Sequence, residues 1–169
     1  MKIKRITIAQ IIWIVSIVSS ILLSARFEMS KLQNQLNVEY DREVGIHTDL
    51  NEKCKDAANL LVLAEKYEVD GNDLKNMTET LKNSNMEEAA SNSKKLDQAF
   101  DFVVSNLMDK SLTDKDKAYV TQIHGDYYAS NDRIERDAYH GIHDAALEKL
   151  SSFPARLFTR LFGFDLKSY

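Results

Sequence analysis

Apolar and polar positions divide the chain into one stretch without charge and a series of striped segments. Between Arg5 and Arg26 lie twenty uncharged residues, ITIAQIIWIVSIVSSILLSA. As a helix, the run from Ile6 to Leu23 spans ~27 Å, close to the ~30 Å hydrocarbon core of a bilayer. Gln10, Ser16, Ser19, Ser20 and Ser24 dilute its apolarity, but a helical serine bonds back to the carbonyl one turn earlier and costs little in lipid. The reading is a basic flank at 1–5, a transmembrane anchor at 6–25 and a helical domain at 26–169. A cleaved leader is the competitor. Signal peptidase takes small residues one and three places before the cut, whereas cutting after Ala25 or Ser24 sets Leu23 or Leu22 at the outer position. The anchor is therefore expected to be retained.

Beyond it the period is helical. Ile46, Leu50, Cys54, Ala57, Leu61 and Ala64 form one stripe, which Leu32 and Leu36 extend toward the anchor. Anchor and first domain helix are thus expected to make one rod from Ile6 to Tyr67, with Gly45 its weak point. VDGND at 69–73 supplies Gly71 as a stop and Asn72 or Asp73 as the next cap. The asparagine-rich stretch that follows is expected to break near Asn83 to Asn85. Leu96, Phe100, Val103 and Leu107 restore a core face. Thr113 and Asp116 have capping spacing for a third long helix, striped Val120, Ile123, Tyr127, Ile134, Ala138, Gly141 and Ala145, with Asn131 on the same face. Gly141 and the alanines predict close helix approach. Pro154 ends this helix, and the amphipathic ARLFTRLFGF follows, expected to pack on the end of the bundle, although its apolar side also suits a lipid surface.

Composition sharpens this to an all-α fold. Five glycines and one proline in 169 residues leave few sites for tight turns, and the length beyond the anchor suits one domain. The formal charge is −4, and the domain alone is more acidic, because Lys2, Lys4 and Arg5 precede the anchor. Nucleic acid is excluded as a partner for want of a basic stripe. Those three cations, against Arg26 and Lys31 beyond the anchor, favour a cytoplasmic N-terminus with the domain outside.

Several segments resemble the LemA family. Ser152, Phe153, Pro154, Leu157, Leu161, Phe162, Gly163 and Phe164 match its SFPxxLxxxLFGF ending without a gap. Ile46, Leu50, Lys53, Asn59, Leu60 and Tyr67 fall at the spacing of its IDxxLxxRxxxIPNL segment and later tyrosine, and Arg136 and Tyr139 match its AR..YN segment. Ala58 stands where the family has proline, His140 where it has the first YN asparagine, and Ala146-Leu147 where it has the second YN pair. The resemblance implies a membrane-hung, antiparallel up-and-down four-helix bundle with long helices, and it implies no agreed biochemical activity.

Candidate chemistry is sparse. Asn59, Arg136, Asn131 and Tyr139 lie on or beside apolar stripes, where a buried polar group needs a partner. They are the candidate binding residues, read first as groups fixing helix register and second as a site between helices. His140, His143 and Asp144 share a helix turn, with His47 as a distant fourth, but the spacing is not the H-E-x-x-H of a zinc helix, so no metal site is expected. Cys54 reads as a small hydrophobe. No nucleophile has a neighbouring base and no glycine-rich loop could cradle phosphate, so neither catalytic residues nor a cofactor are expected. The functional expectation is a non-enzymatic interaction module in the envelope, held to the bilayer through 6–25 and serving an envelope protein partner. The alternative is a tethered sensor of small ligands.

Overall fold

A computed structural model describes residues 2–169; the side chains of residues 1–7, and with them the basic flank, lie outside the described residues. Among the described residues seven helices follow one another: α1 (Lys2–Tyr40), α2 (Ile46–Lys66), α3 (Asn72–Lys82), α4 (Met86–Met108), α5 (Asp114–Glu135), α6 (Ala138–Ser151) and α7 (Ala155–Phe162). Among the described residues there is no strand.

α1 has two characters. The stretch Ile8–Tyr40 is long and apolar enough to cross a membrane, and none of its most hydropathic window is buried. Ser16 and Ser20 donate to the carbonyls of Ile12 and Ser16 at 2.9 Å, the back-bonding that lets hydroxyls sit in an apolar helix. From Met29 onward the helix acquires an inward face, with Met29, Leu36 and Tyr40 buried.

The expected rod from Ile6 to Tyr67 is broken at 41–45. Gly45 caps α2 in extended conformation, and a Cβ there would lie 2.9 Å from the Glu39 carbonyl oxygen. A side chain would push the turn off the end of α1. Arg42 binds the turn together, donating to the Val44 carbonyl at 3.0 Å and pairing with Glu39 at 2.8 Å.

The third long helix is also broken, between Glu135 and Ala138, because Asp137 turns its carboxylate onto the Tyr139 N–H at 2.8 Å and starts α6 afresh. His140 Nε2 meets the Ile134 carbonyl, which also accepts the Asp137 N–H, at 2.9 Å. The restart shifts the buried face by one position. Tyr139, Ala146 and Leu150 go inside, whereas Ala138, Gly141 and Ala145 are exposed. A Cβ on Gly141 would meet nothing within 4 Å, so the expected close approach does not occur there. The two breaks lie side by side, joined by Arg42 and Asp137 at 3.3 Å.

Gly71 is not the stop of α2. That helix ends one turn earlier in a Schellman arrangement, with Val69 N–H on the Ala64 carbonyl at 2.8 Å, Glu68 N–H on the Glu65 carbonyl at 3.3 Å, and Glu68 itself left-handed at φ 52°. Asn85, within the expected break, caps α4 by accepting from the Glu88 N–H at 3.0 Å. Thr113 caps α5 through the Asp116 N–H at 3.2 Å, as its spacing predicts.

α2 packs against α3, α4 and α5, while α1 packs against α6 and α7. The core between α2 and α5 includes Ile46, Leu50, Leu60, Leu74, Leu96, Phe100, Leu107, Val120 and Tyr127. Each large side chain so buried contributes about 1.5–3 kcal/mol. Phe100 lies flat on Tyr127, ring centroids 3.7 Å apart and planes 8° from parallel.

Candidate functional site

The interior holds a polar network that spans three helices. Lys53 occupies the core face of α2 between Leu50, Cys54 and Ala57, and its side chain is 0% exposed. Its ammonium donates to Ser93 Oγ and Asp97 Oδ1 on α4, both at 2.7 Å. Ser93 and Asp97 are four residues apart and so share a helix face. Tyr127 of α5 donates to the same Asp97 oxygen at 2.8 Å, and its ring lies 4.9 Å from the Lys53 ammonium. Burial lowers the Lys53 pKa, and the hydrogen bond and charge of Asp97 oppose that shift. Burial first, then Asp97, pushes the Tyr127 phenol far above its usual range.

Two further clusters tie α2 to α5. Asp116 receives Lys66 Nζ at 2.7 Å, the Tyr67 hydroxyl at 2.5 Å and the Thr113 hydroxyl at 2.6 Å. These three donors, Lys66 foremost, hold its carboxyl well below the ordinary carboxylate range. Toward the other end, Asp49 accepts from Arg133 Nε at 2.6 Å, and Arg133 also reaches Ser130 at 2.8 Å. Between them lies the half-buried Asp56, where Arg133 and Lys55 oppose burial and two carboxylates without outweighing them. Burial, then Asp126 and Glu52, raises its pKa to about 6.

Of the four candidate residues, only Tyr139 is buried. Its hydroxyl accepts the Tyr169 N–H at 2.8 Å and faces Met86 Sδ at 3.6 Å. Tyr40, Tyr139 and Tyr169 gather beside the paired helix breaks, with the Tyr40 ring 6.4 Å from Tyr139 and 5.9 Å from Tyr169. Asn59 is exposed on the outer face of α2, and Asn131 is half-buried. Arg136 is exposed and pairs with Asp132 one turn back at 3.0 Å. The four do not converge; the buried polar groups that link helices are Lys53, Ser93, Asp97 and Tyr127 instead. One signal for it stands in the sequence, since Lys53 falls on the stripe of Leu50 and Ala57, where a charge needs a partner.

His143 stacks on Tyr139 with ring centroids 6.2 Å apart and contacts Asp144 at 3.4 Å. Among the described residues no three His, Cys, Asp or Glu side chains gather as metal ligands. Cys54 is buried, with its Sγ 3.8 Å from the Thr78 carbonyl, and burial raises its thiol pKa, the opposite of an activated nucleophile.

The non-helical segment 164–169 crosses back over the helices. Gln33 exchanges two hydrogen bonds with the Lys167 backbone, at 2.9 and 3.0 Å, and Lys167 pairs with Glu87 of α4 at 2.7 Å. Burial pushes the Tyr169 phenol up to about 12, with Ser93 pulling it down and Asp97 raising it. At the opposite end of α6, an apolar groove of about 470 Å³ lies between α1, α6 and α7.

Comparison with protein-family models, with curated proteins and with solved structures gave no match to this chain.

Proposed function

We propose that the protein is a single-pass, membrane-tethered helical module of the LemA type that serves as an interaction or scaffold element in the cell envelope and performs no catalysis. The observation that carries this reading is the contrast within one chain. Every Ile and Val from Ile8 to Ile21 is exposed and the most apolar window of α1 is wholly uncovered, whereas the helices beyond α1 satisfy their buried polar groups among themselves. An apolar helix of that length left bare in water is untenable and calls for lipid.

The domain is an antiparallel up-and-down bundle of α2, α3, α4 and α5. Support comes from α2 and α5, where Asp49 meets Arg133 and Lys66 meets Asp116, so that rising numbers on one helix meet falling numbers on the other. The scattered positions of Asn59, Asn131, Arg136 and Tyr139 favour an adaptor over a sensor with a ligand between its helices. The N-terminus lies on the cytoplasmic side, by the balance of basic flanks. Partners read outward faces, and Phe102, exposed on α4 beside a groove with Met77 and Ala99, is a natural contact.

The test is crosslinking of the tagged full chain in its native membrane, with a photoreactive residue at Phe102 and mass spectrometry of the products. A recurrent envelope protein is expected. Self-links alone, or transfer to a bound small molecule, would overturn the adaptor reading.

A further inference from the structure

α7 carries a face that its own chain leaves bare. Ala155, Phe158 and Phe162 are half-buried toward the protein. Leu157 and Leu161, one turn apart, are 56% and 64% exposed, and Phe153 just ahead of the helix is 83% exposed. Arg156 and Arg160 occupy a third side, in solvent. The sequence therefore builds three faces in two turns, one for the protein, one apolar and one cationic, the pattern of a helix lying in a membrane interface.

Its height along α1 says what covers the apolar face. The groove beneath α7 is walled on α1 by Ser20, Ile21, Ser24 and Ala25, the last turns of the uncharged run. The Arg26 guanidinium lies over the Phe162 ring, 5.7 Å from its centroid. Leu23 and Phe27, at the same level, are also bare. If Ile6 to Leu23 fills the hydrocarbon, a helix packed against Ser20 to Ala25 is held at the boundary between acyl chains and headgroups. Apolar side chains there meet lipid, and arginines there meet phosphate.

From this juxtaposition we infer that α7 and the end of the anchor form one interfacial lipid site, in which Phe153, Leu157 and Leu161 enter the acyl boundary of the bilayer while Arg26, Arg156 and Arg160 bind lipid phosphates. The inference rests on the anchor reading proposed above. It gives the domain a second membrane contact, reached through α6, so that the module is fixed in tilt as well as in place.

The experiment uses the full chain in vesicles of phosphatidylcholine with a minority of phosphatidylglycerol. Single spin labels are placed at Ile14, Leu157, Leu161 and, as a water reference, the exposed Gln122. The background is Cys54→Ala, or the parent chain, in which Cys54 is buried. Relaxation by oxygen, which partitions into lipid, is compared with relaxation by a water-soluble nickel chelate. Labels at 157 and 161 are expected to favour oxygen, as at 14 but shallower, with 122 favouring nickel. Oxygen preference at 14 with nickel preference at 157 and 161 overturns the lipid site and leaves the anchor standing. Nickel preference at 14 overturns both. Labels at 157 and 161 closed to both reagents reveal a protein cover, a second copy or a partner, and also overturn the lipid site.

Discussion

Replacing Lys53 by methionine tests whether the interior network holds the domain together. Methionine keeps the length and volume of the side chain, so little cavity penalty enters. What is lost is the ammonium that bonds Ser93 and Asp97 at 2.7 Å each. Asp97 is left with the Tyr127 hydroxyl, and Ser93 without its donor. Removing one partner of a buried pair costs about 3–5 kcal/mol; Asp97, with 27% of its side chain exposed, recovers part of this from water. The expected loss is about 2–4 kcal/mol. Lys53→Met combined with Asp97→Leu should recover at least half of the sum of the single losses, because the orphaned charge is gone. Urea unfolding of the full chain in detergent measures it, followed by the near-ultraviolet dichroism of the tyrosines. Trp13 lies exposed in the apolar part of α1 and would report that helix rather than the domain. A single variant within about 0.5 kcal/mol of the parent, or strictly additive losses in the double variant, would refute the account.

Other perturbations probe charge and backbone. Asp56 holds its proton more tightly when folded, with a pKa of about 6 against 3.8 unfolded, so its stabilising share is complete below pH ~4 and disappears as pH rises through about 6. Asp56→Asn should therefore stabilise at pH 7 by about 1 kcal/mol, allowing for its exposure, and change nothing at pH 4; paired urea curves at the two pH values decide this. Tyr40, Tyr127, Tyr128, Tyr139 and Tyr169 are all raised when folded, chiefly by burial. Stability from them is whole below the unfolded phenol value near 10 and lost above it, so their absorbance change near 295 nm should coincide with loss of tyrosine dichroism, and separate transitions would contradict their burial. Glu68 holds a left-handed conformation at φ 52°. Glu68→Gly should raise stability by several tenths to about 1 kcal/mol in thermal melts, and a loss would mean that its side chain contributes more than its backbone costs.

Periodicity carried most of the helical content because it registers burial one residue at a time: Leu50, Cys54, Leu96, Phe100 and Val120 are all inside. The paired breaks were harder to read. Asp137 is an ordinary polar residue until Arg42, distant in sequence, meets it and favours a fresh helix start, and without that partner the stripe through Ile134, Ala138 and Gly141 looks continuous. The interior polar network escaped for a related reason. Asn59 and Arg136 lie beside a stripe and point to water, whereas Lys53 lies on one and was legible only as a charge in the wrong place. Its acceptor Asp97 sits one position off Leu96, and only the packing of α4 brings it to bear.

The segment 164–169 touches three helices within a few residues: α1 through Gln33, α4 through the Lys167 side chain and α6 through Tyr139. It crosses beside the level at which both long rods are interrupted. Two aligned interruptions would act as a universal joint, letting the bundle swing freely on its stalk. A strap laced across them opposes that swing, because bending at the breaks would have to part Gln33 from the Lys167 backbone and Lys167 from Glu87; on the anchor reading proposed above, a sideways pull on the bundle would then reach the membrane as torque instead of being absorbed in bending.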